Sequence, residues 1–170
     1  AGLAVVCFSE DATRRFTRAF AGLAIDRRYT AVTLPWPEPL RSRKDWFSIH
    51  GAIGALTGFP PRFAVVAHGL ESETQVRALM HRPSGTLVDI RPITGRTHQI
   101  RVRLAHLGTP ILGDPTYGGA DFATARLALH ARELTIPAEV AATSKDLVIR
   151  AHEDPIGSGP APLWPNESPS

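Results

Sequence analysis

Two stretches of alternating polarity, Thr74–Met80 and Gly85–Arg91, separated only by His81-Arg82-Pro83-Ser84, constrain the fold of this 170-residue chain most. A period of two sets successive side chains on opposite faces of a strand. A connection this short leaves no room for a crossover, so the pair predicts an antiparallel hairpin. Downstream, Ile100, Leu104 and Leu107 fall on one helical face, with Gly108 as a stop and Pro110 beyond it. That spacing predicts a helix over 97–107. Arg28–Leu34 reads as a strand closed by Pro35, and 126–136 with 146–151 as a last pair. At the start, Leu3–Phe8 has the apolar, β-branched character of a central strand. Ser9 then offers an N-cap, with Glu10 and Asp11 in the first turn and Phe16, Phe20 and Leu23 at helical spacing. Residues 35–61, rich in proline and glycine and carrying Arg41-Ser42-Arg43-Lys44, read as a long irregular connection. The expected class is α+β, a mixed, mostly antiparallel sheet with inserted helices.

At this length, with 43% hydrophobic residues, the chain can bury one core. Residues 152–170 hold five prolines, two glycines and three serines, and are expected to form a disordered tail after a domain spanning 1–151. The tail also carries three acids and no lysine or arginine, which leaves 1–151 with 19 basic against 13 acidic residues. A body at +6 favours nucleic acid or phosphate partners. A single cysteine, Cys7, excludes an internal disulfide; its apolar setting predicts a packed core residue in a reducing compartment. With no spanning segment or signal peptide in view, the expected location is the cytoplasm. The chain begins at Ala1 and its only methionine is Met80, so a natural start upstream of Ala1 is expected.

Residues 91–106 contain four arginines, Arg91, Arg96, Arg101 and Arg103, and two histidines, with no acid among them. Such a cluster calls for a polyanion or a buried carboxylate. Arg101 lies about a quarter-turn from the Ile100-Leu104-Leu107 stripe. Its fork of donors suits a bidentate carboxylate and would keep that carboxylate ionised. A structural ion pair would read the same way. His98, His106, His130 and Asp114 do not have the spacing of a zinc site, so no metal is expected. A hydrolase built on His98 or His106 with Asp114 would need a nucleophile, and Ser9, Ser42, Ser48, Ser72 and Ser84 lack a G-x-S-x-G context.

The run Thr94–Gly108 followed by Gly113-Asp114-Pro115-Thr116-Tyr117-Gly118 resembles a signature of the RluA-type pseudouridine synthases, with Arg103 where that family usually has histidine and Thr109 where G-H-P is usual. Ala1–Val6 resembles the end of the family's H-R-L-D-x-x-T-S-G pattern and the strand after it. Arg27–Val32 is similar to its K-R-Y-x-A-x element. Ile49–Gly54 is similar to I-x-x-P-I-G, with Ala52 in place of proline, and Glu73–Arg77 to A-x-T-x-Y-R-V. The motifs occur in order across nearly all of 1–151.

The resemblance implies a pseudouridine synthase-like catalytic domain that isomerises uridine in ribosomal or transfer RNA, with no cofactor. The uracil is extruded from its stack, an aspartate adds covalently, the glycosidic bond breaks, and a carbon–carbon bond replaces it. By the same matches Tyr29 would lie against the flipped base and assist proton removal, Arg101 would pair with the catalytic aspartate, and Leu129 would close over the base. A strand tyrosine or leucine packed in the core would look alike in sequence. Arg96, Arg103 and the Arg41, Arg43, Lys44 loop are the expected phosphate contacts, with His98 and Gln99 of the long motif as further RNA-binding candidates. The catalytic aspartate would fall just upstream of Ala1, so these 170 residues alone are expected to be inactive. A second possibility is an inert RNA-binding remnant of the same fold. Monomer is the default expectation.

Overall fold

A computed structural model describes residues 2–58, 60–118 and 126–151. The stretch expected to be a disordered tail, 152–170, lies outside the described residues. Among these, seven strands form one sheet in the order β3-β2-β4-β5-β1-β6-β7. They are β1 (Asp26–Thr33), β2 (Phe47–Leu56), β3 (Arg62–Val65), β4 (Leu70–Arg82), β5 (Gly85–Pro92), β6 (Leu129–Ile136) and β7 (Leu147–Arg150). All six pairings between them are antiparallel. Three helices are inserted, α1 (Glu10–Ala21), α2 (Gln99–His106) and the single turn α3 (Ala138–Ala141). The α+β class is as expected.

The β4–β5 hairpin forms with Arg82 opposite Gly85 across the Pro83-Ser84 turn. A side chain at Gly85 would bring a Cβ to 2.5 Å from the Thr33 carbonyl, so the turn's exit must be glycine. Ala31, Val76, Val88 and Ile90 of the central strands pack with Ile100 and Leu104 of α2 and with Trp36, Ile111 and Leu112. The expected inward stripe of α2 is therefore real. The helix starts at Gln99 rather than 97, because His98 adopts a left-handed conformation (φ 55°, ψ 18°) and cannot continue a helix. At α1, Ser9 Oγ accepts the Ala12 N–H at 3.2 Å, as its N-cap position predicts. Phe16 and Phe20 pack on a second cluster of Ile25, Leu134, Ile136 and Val140. Leu23 leaves the helical stripe, since the helix ends at Ala21 and Leu23 sits at φ 61°, exposed.

Three further expectations fail. Residues 35–61 are not irregular throughout: a short 3-10 turn at Leu40–Ser42 leads into β2, and β3 begins at Arg62. The small residues Gly51, Ala52, Gly54 and Ala55 carry little intrinsic strand preference, and tertiary pairing with β4, from Phe47 opposite Val76 to Ile53 opposite Leu70, makes the strand. Conversely Leu3–Phe8 is no strand. The preceding Gly2 bridges Ala131, and Leu3 N–H donates to the Ala131 carbonyl at 3.0 Å. Further along, β7 occupies that edge of β6 from Glu133 onward. Leu3 and Val5 pack on the second cluster, whereas Val6 and Phe8 are 69% and 96% exposed. Cys7 is half-buried, not a core residue.

Candidate active site

A cleft of about 250 Å3 opens where the start of β1, the exit of β5 and the start of α2 meet the first residue of β6. Tyr29, Arg101 and Leu129, drawn from three separate motifs, all line it. Tyr29 faces Ile90 of β5 on one side and Ala131 of β6 on the other. Arg28 pairs with Glu133 and Tyr29 with Ala131, so Arg132 is an extra residue in β6. A bulge of this kind re-aims side chains at the end of a sheet. Leu129, half-buried, pairs with Ala31 and packs against the main core from the cleft's far wall.

Arg101 is held rigidly. Its Nε and Nη2 donate to Oδ2 and Oδ1 of Asp114 at 2.8 and 2.6 Å, and its guanidinium lies 4.8 Å from the Tyr117 ring centroid. Asp114 is fully buried and also accepts the Thr116 and Tyr117 amides at 3.0 and 3.2 Å. Burial pushes this carboxyl up, but the Arg101 and amide hydrogen bonds outweigh it and hold the group below the usual carboxylate range. The same hydrogen bond raises Arg101 above its ordinary value. Both groups are ionised at neutral pH, and Nη1 of Arg101 makes no hydrogen bond to the described residues. The bidentate geometry expected of Arg101 is present, with Asp114 as its partner in this chain.

His98 stands beside this pair. Its Nδ1 lies 2.9 Å from Tyr117 Oη, and its ring meets those of Tyr117 and Phe63 edge-on at 5.8 and 5.7 Å. Burial, then the charge of Arg101, lowers its pKa, with Asp114 opposing them only in part. The imidazole is thus neutral at pH 7. A left-handed non-glycine residue is strained, and such residues cluster at functional sites. Arg96 also lines the cleft; its backbone N–H donates to Gln99 Oε1 at 2.9 Å and its Nε to the Glu71 carbonyl at 2.9 Å.

Of the other expected RNA contacts, Arg103 and Gln99 are buried, whereas Arg41, Arg43 and Lys44 are exposed but lie away from the cleft. Arg103 is fully buried and donates to Ser72 Oγ and to the carbonyls of His50 and Gly51. No phosphate can reach it. Gln99 is only 4% exposed and its amide is fully used: Nε2 donates to the Glu73 carbonyl and Thr74 Oγ1, both at 2.9 Å, while Oε1 accepts from Thr94 Oγ1 and Arg96 N. It ties the turn before α2 to β4. Arg41 is on the 3-10 turn, and Arg43 and Lys44 line a separate pocket with Ser42 and Asp45 to Phe47, sharing no residue with the cleft. Arg43 lies 4.6 Å over the Phe47 ring.

Sequence reasoning missed Arg27, which lines the cleft and donates from Nη2 to the Thr94 carbonyl at 3.1 Å, and it missed Asp114 and Tyr117 as the supports of Arg101. The available signal was Asp114-Pro115-Thr116-Tyr117, since an aspartate two residues before a backbone amide commonly closes a turn on it. Among the described residues there is no group of three His, Cys, Asp or Glu side chains able to hold a metal, and no helix long and apolar enough to cross a membrane.

The sequence model of the RNA pseudouridylate synthase family matches residues 1–106. An uncharacterized RNA pseudouridine synthase of Mycobacterium bovis is 36% identical over 138 residues, covering 78% of this chain and 43% of that protein. The ribosomal large subunit pseudouridine synthase D of Nitrosomonas europaea is 35% identical over 148 residues, covering 79% and 40%. Among solved structures, human RNA pseudouridylate synthase domain containing 1 superposes with a TM-score of 0.71 at 26% identity, over 87% of this chain and 62% of that one. The chain belongs to the RNA pseudouridylate synthase family, as its RluA-type motifs imply. It spans less than half the length of these two curated relatives.

Proposed function

We propose that the cleft receives a uridine flipped out of RNA and that this chain forms most of the site of a pseudouridine synthase acting on ribosomal or transfer RNA. One observation carries the reading: Tyr29, Arg101 and Leu129, widely separated in sequence, line a single cleft. An aromatic ring and an aliphatic side chain on two walls suit a pyrimidine held by its faces. Extrusion costs a few kcal/mol of unstacking, and these apolar contacts offset part of it. Arg101, fixed by Asp114, offers Nη1 to the carboxylate of an aspartate supplied ahead of Ala1, keeping that nucleophile ionised while it adds to the base. The Tyr29 hydroxyl then assists the proton removal that completes the rearrangement. His98 and Arg96 sit where phosphate contacts would orient the strand. Residues 1–151 are read as part of the catalytic domain, the protein as cytoplasmic and monomeric, and its chemistry as needing no cofactor.

The test is a polypeptide joining an H-R-x-D-x-x-T/S segment to Ala1, incubated with ribosomal and transfer RNA and assayed for pseudouridine. Product that disappears when the aspartate of that segment is replaced by asparagine is expected. A folded, RNA-binding polypeptide that forms no pseudouridine on either RNA would overturn the reading.

A further inference from the structure

A second and larger pocket, about 570 Å3, lies on the other side of the turn at Gly95 and Arg96, and both residues line both spaces. Its other walls are Ile53 and Ala55 of β2, Phe63 of β3, and His68 and Gly69 with Leu70, the first residue of β4, with no acidic residue among them. Apolar walls with one aromatic ring and one arginine at the rim are the surroundings of a nucleobase and its phosphate, not of a free anion.

Two features make the pocket continuous with the cleft. Phe63 is fixed by Tyr117, which packs on Arg101, and by His98 beside it: its N–H donates to Tyr117 Oη at 3.3 Å, and its ring meets His98 edge-on. Arg96, on the ridge between the spaces, is tethered through its backbone N–H, its carbonyl, which accepts the Gln99 N–H at 3.0 Å, and its Nε, while Nη1 and Nη2 make no bond to the described residues. A guanidinium held at its root with both ends unoccupied is prepared for a phosphodiester. A strand crossing that ridge has one base on each side.

We propose that this pocket binds the base of the nucleotide adjacent to the target uridine, stacked on Phe63 with the intervening phosphate on Arg96, which makes it a determinant of sequence context. The proposal rests on the reading of the cleft as the uridine site. It calls for an unpaired neighbour, so the RNA it selects is a loop or single strand.

The experiment titrates the 170-residue chain with single-stranded RNA pentamers holding a central uridine and 2-aminopurine on either side in turn. Quenching is expected at one flanking position. An abasic residue at that position, or Phe63→Leu, which keeps apolar volume but removes the ring, should each weaken binding about tenfold. The two losses should not compound when combined, since both delete one contact. An abasic residue in place of the central uridine reads the cleft independently. Dependence on the central base with no effect of the flanking base or of Phe63→Leu overturns the second pocket and leaves the cleft reading standing. Binding that ignores the central base, or no binding, removes the cleft reading and the second pocket with it.

Discussion

Arg101 and Arg103 sit two residues apart on α2, and the helix sends them to opposite environments. Arg101 reaches the cleft wall, pairs with a carboxylate, and is shifted to a higher pKa by that hydrogen bond. Arg103 is enclosed by carbonyls and a hydroxyl, and burial shifts it lower, offset only in part by Glu71. One charge is neutralised locally and exposes a nitrogen to the cleft; the other is solvated by the backbone at the bend of β2. Gly51, at φ 135°, makes the second arrangement possible, because a Cβ there would lie 3.1 Å from Arg103 Nη1. The lesson is that an arginine's role follows from what its donors meet, not from its place in a basic run.

Deleting each arginine separates the two roles, and the largest effect belongs to Arg101. In the extended polypeptide, Arg101→Ala should lower pseudouridine formation by about a hundredfold to a thousandfold, the scale of losing one preorganised electrostatic contact. RNA affinity measured by salt-dependent titration should stay within a few fold. Unchanged turnover would remove Arg101 from the site. Arg103→Ala should do the reverse. It removes the Arg103 donors from the His50 and Gly51 carbonyls, of which Gly51 keeps the Ser72 hydroxyl, and opens a cavity, which costs about 3 kcal/mol in urea unfolding. The fraction that remains folded should bind RNA as before. A loss of turnover in folded Arg103→Ala as large as that in Arg101→Ala would erase the distinction.

This contrast also marks how far the sequence could be read. The hairpin, β1, the α1 cap and the α2 stripe were legible because each is a local pattern: alternation, an N-cap serine, or i, i+4 spacing. Tyr29, Arg101 and Leu129 were legible as a set only through resemblance, since no periodicity links 29, 101 and 129. β2 was illegible because its small residues become a strand only when β4 lies beside them. Leu3–Phe8 was misread for the opposite reason, having strand-forming residues but an edge taken by β7. Arg103 was assigned to phosphate because charge in a motif does not show which helical face it occupies. The carbonyls that hold it come from residues 50, 51 and 72, remote in sequence.

Asp114 sharpens the comparison from the partner's side. Because its folded pKa lies below the unfolded value near 3.9, the folded state binds fewer protons than the unfolded state as pH falls. Its contribution to stability is therefore present above about pH 4 and is lost as pH falls through the folded value. Asp114→Asn should cost about 2 kcal/mol at neutral pH, by removing the charge and the Oδ2 acceptor of Arg101 Nε from a buried site. Its stability should then vary less between pH 5 and pH 2 than that of the parent, as denaturant titrations at several pH values would show. A parallel acid decline in both proteins would mean that other carboxylates dominate.

The smallest effect is an electrostatic readout at His98. Burial contributes most to the lowering of its pKa and the Arg101 charge next, while Arg103 is not among the causes. Arg101→Ala should therefore raise the His98 pKa, followed by the proton chemical shifts of its ring against pH, as the repulsion of a nearby cation is removed. Arg103→Ala should leave it unmoved. The sign is informative, because removing Arg101 also frees Asp114 to act on His98 without a competing cation, and that change raises the pKa further. A downward shift would mean that the ring becomes more buried when the guanidinium leaves, and that Arg101 holds the cleft open as well as charging it.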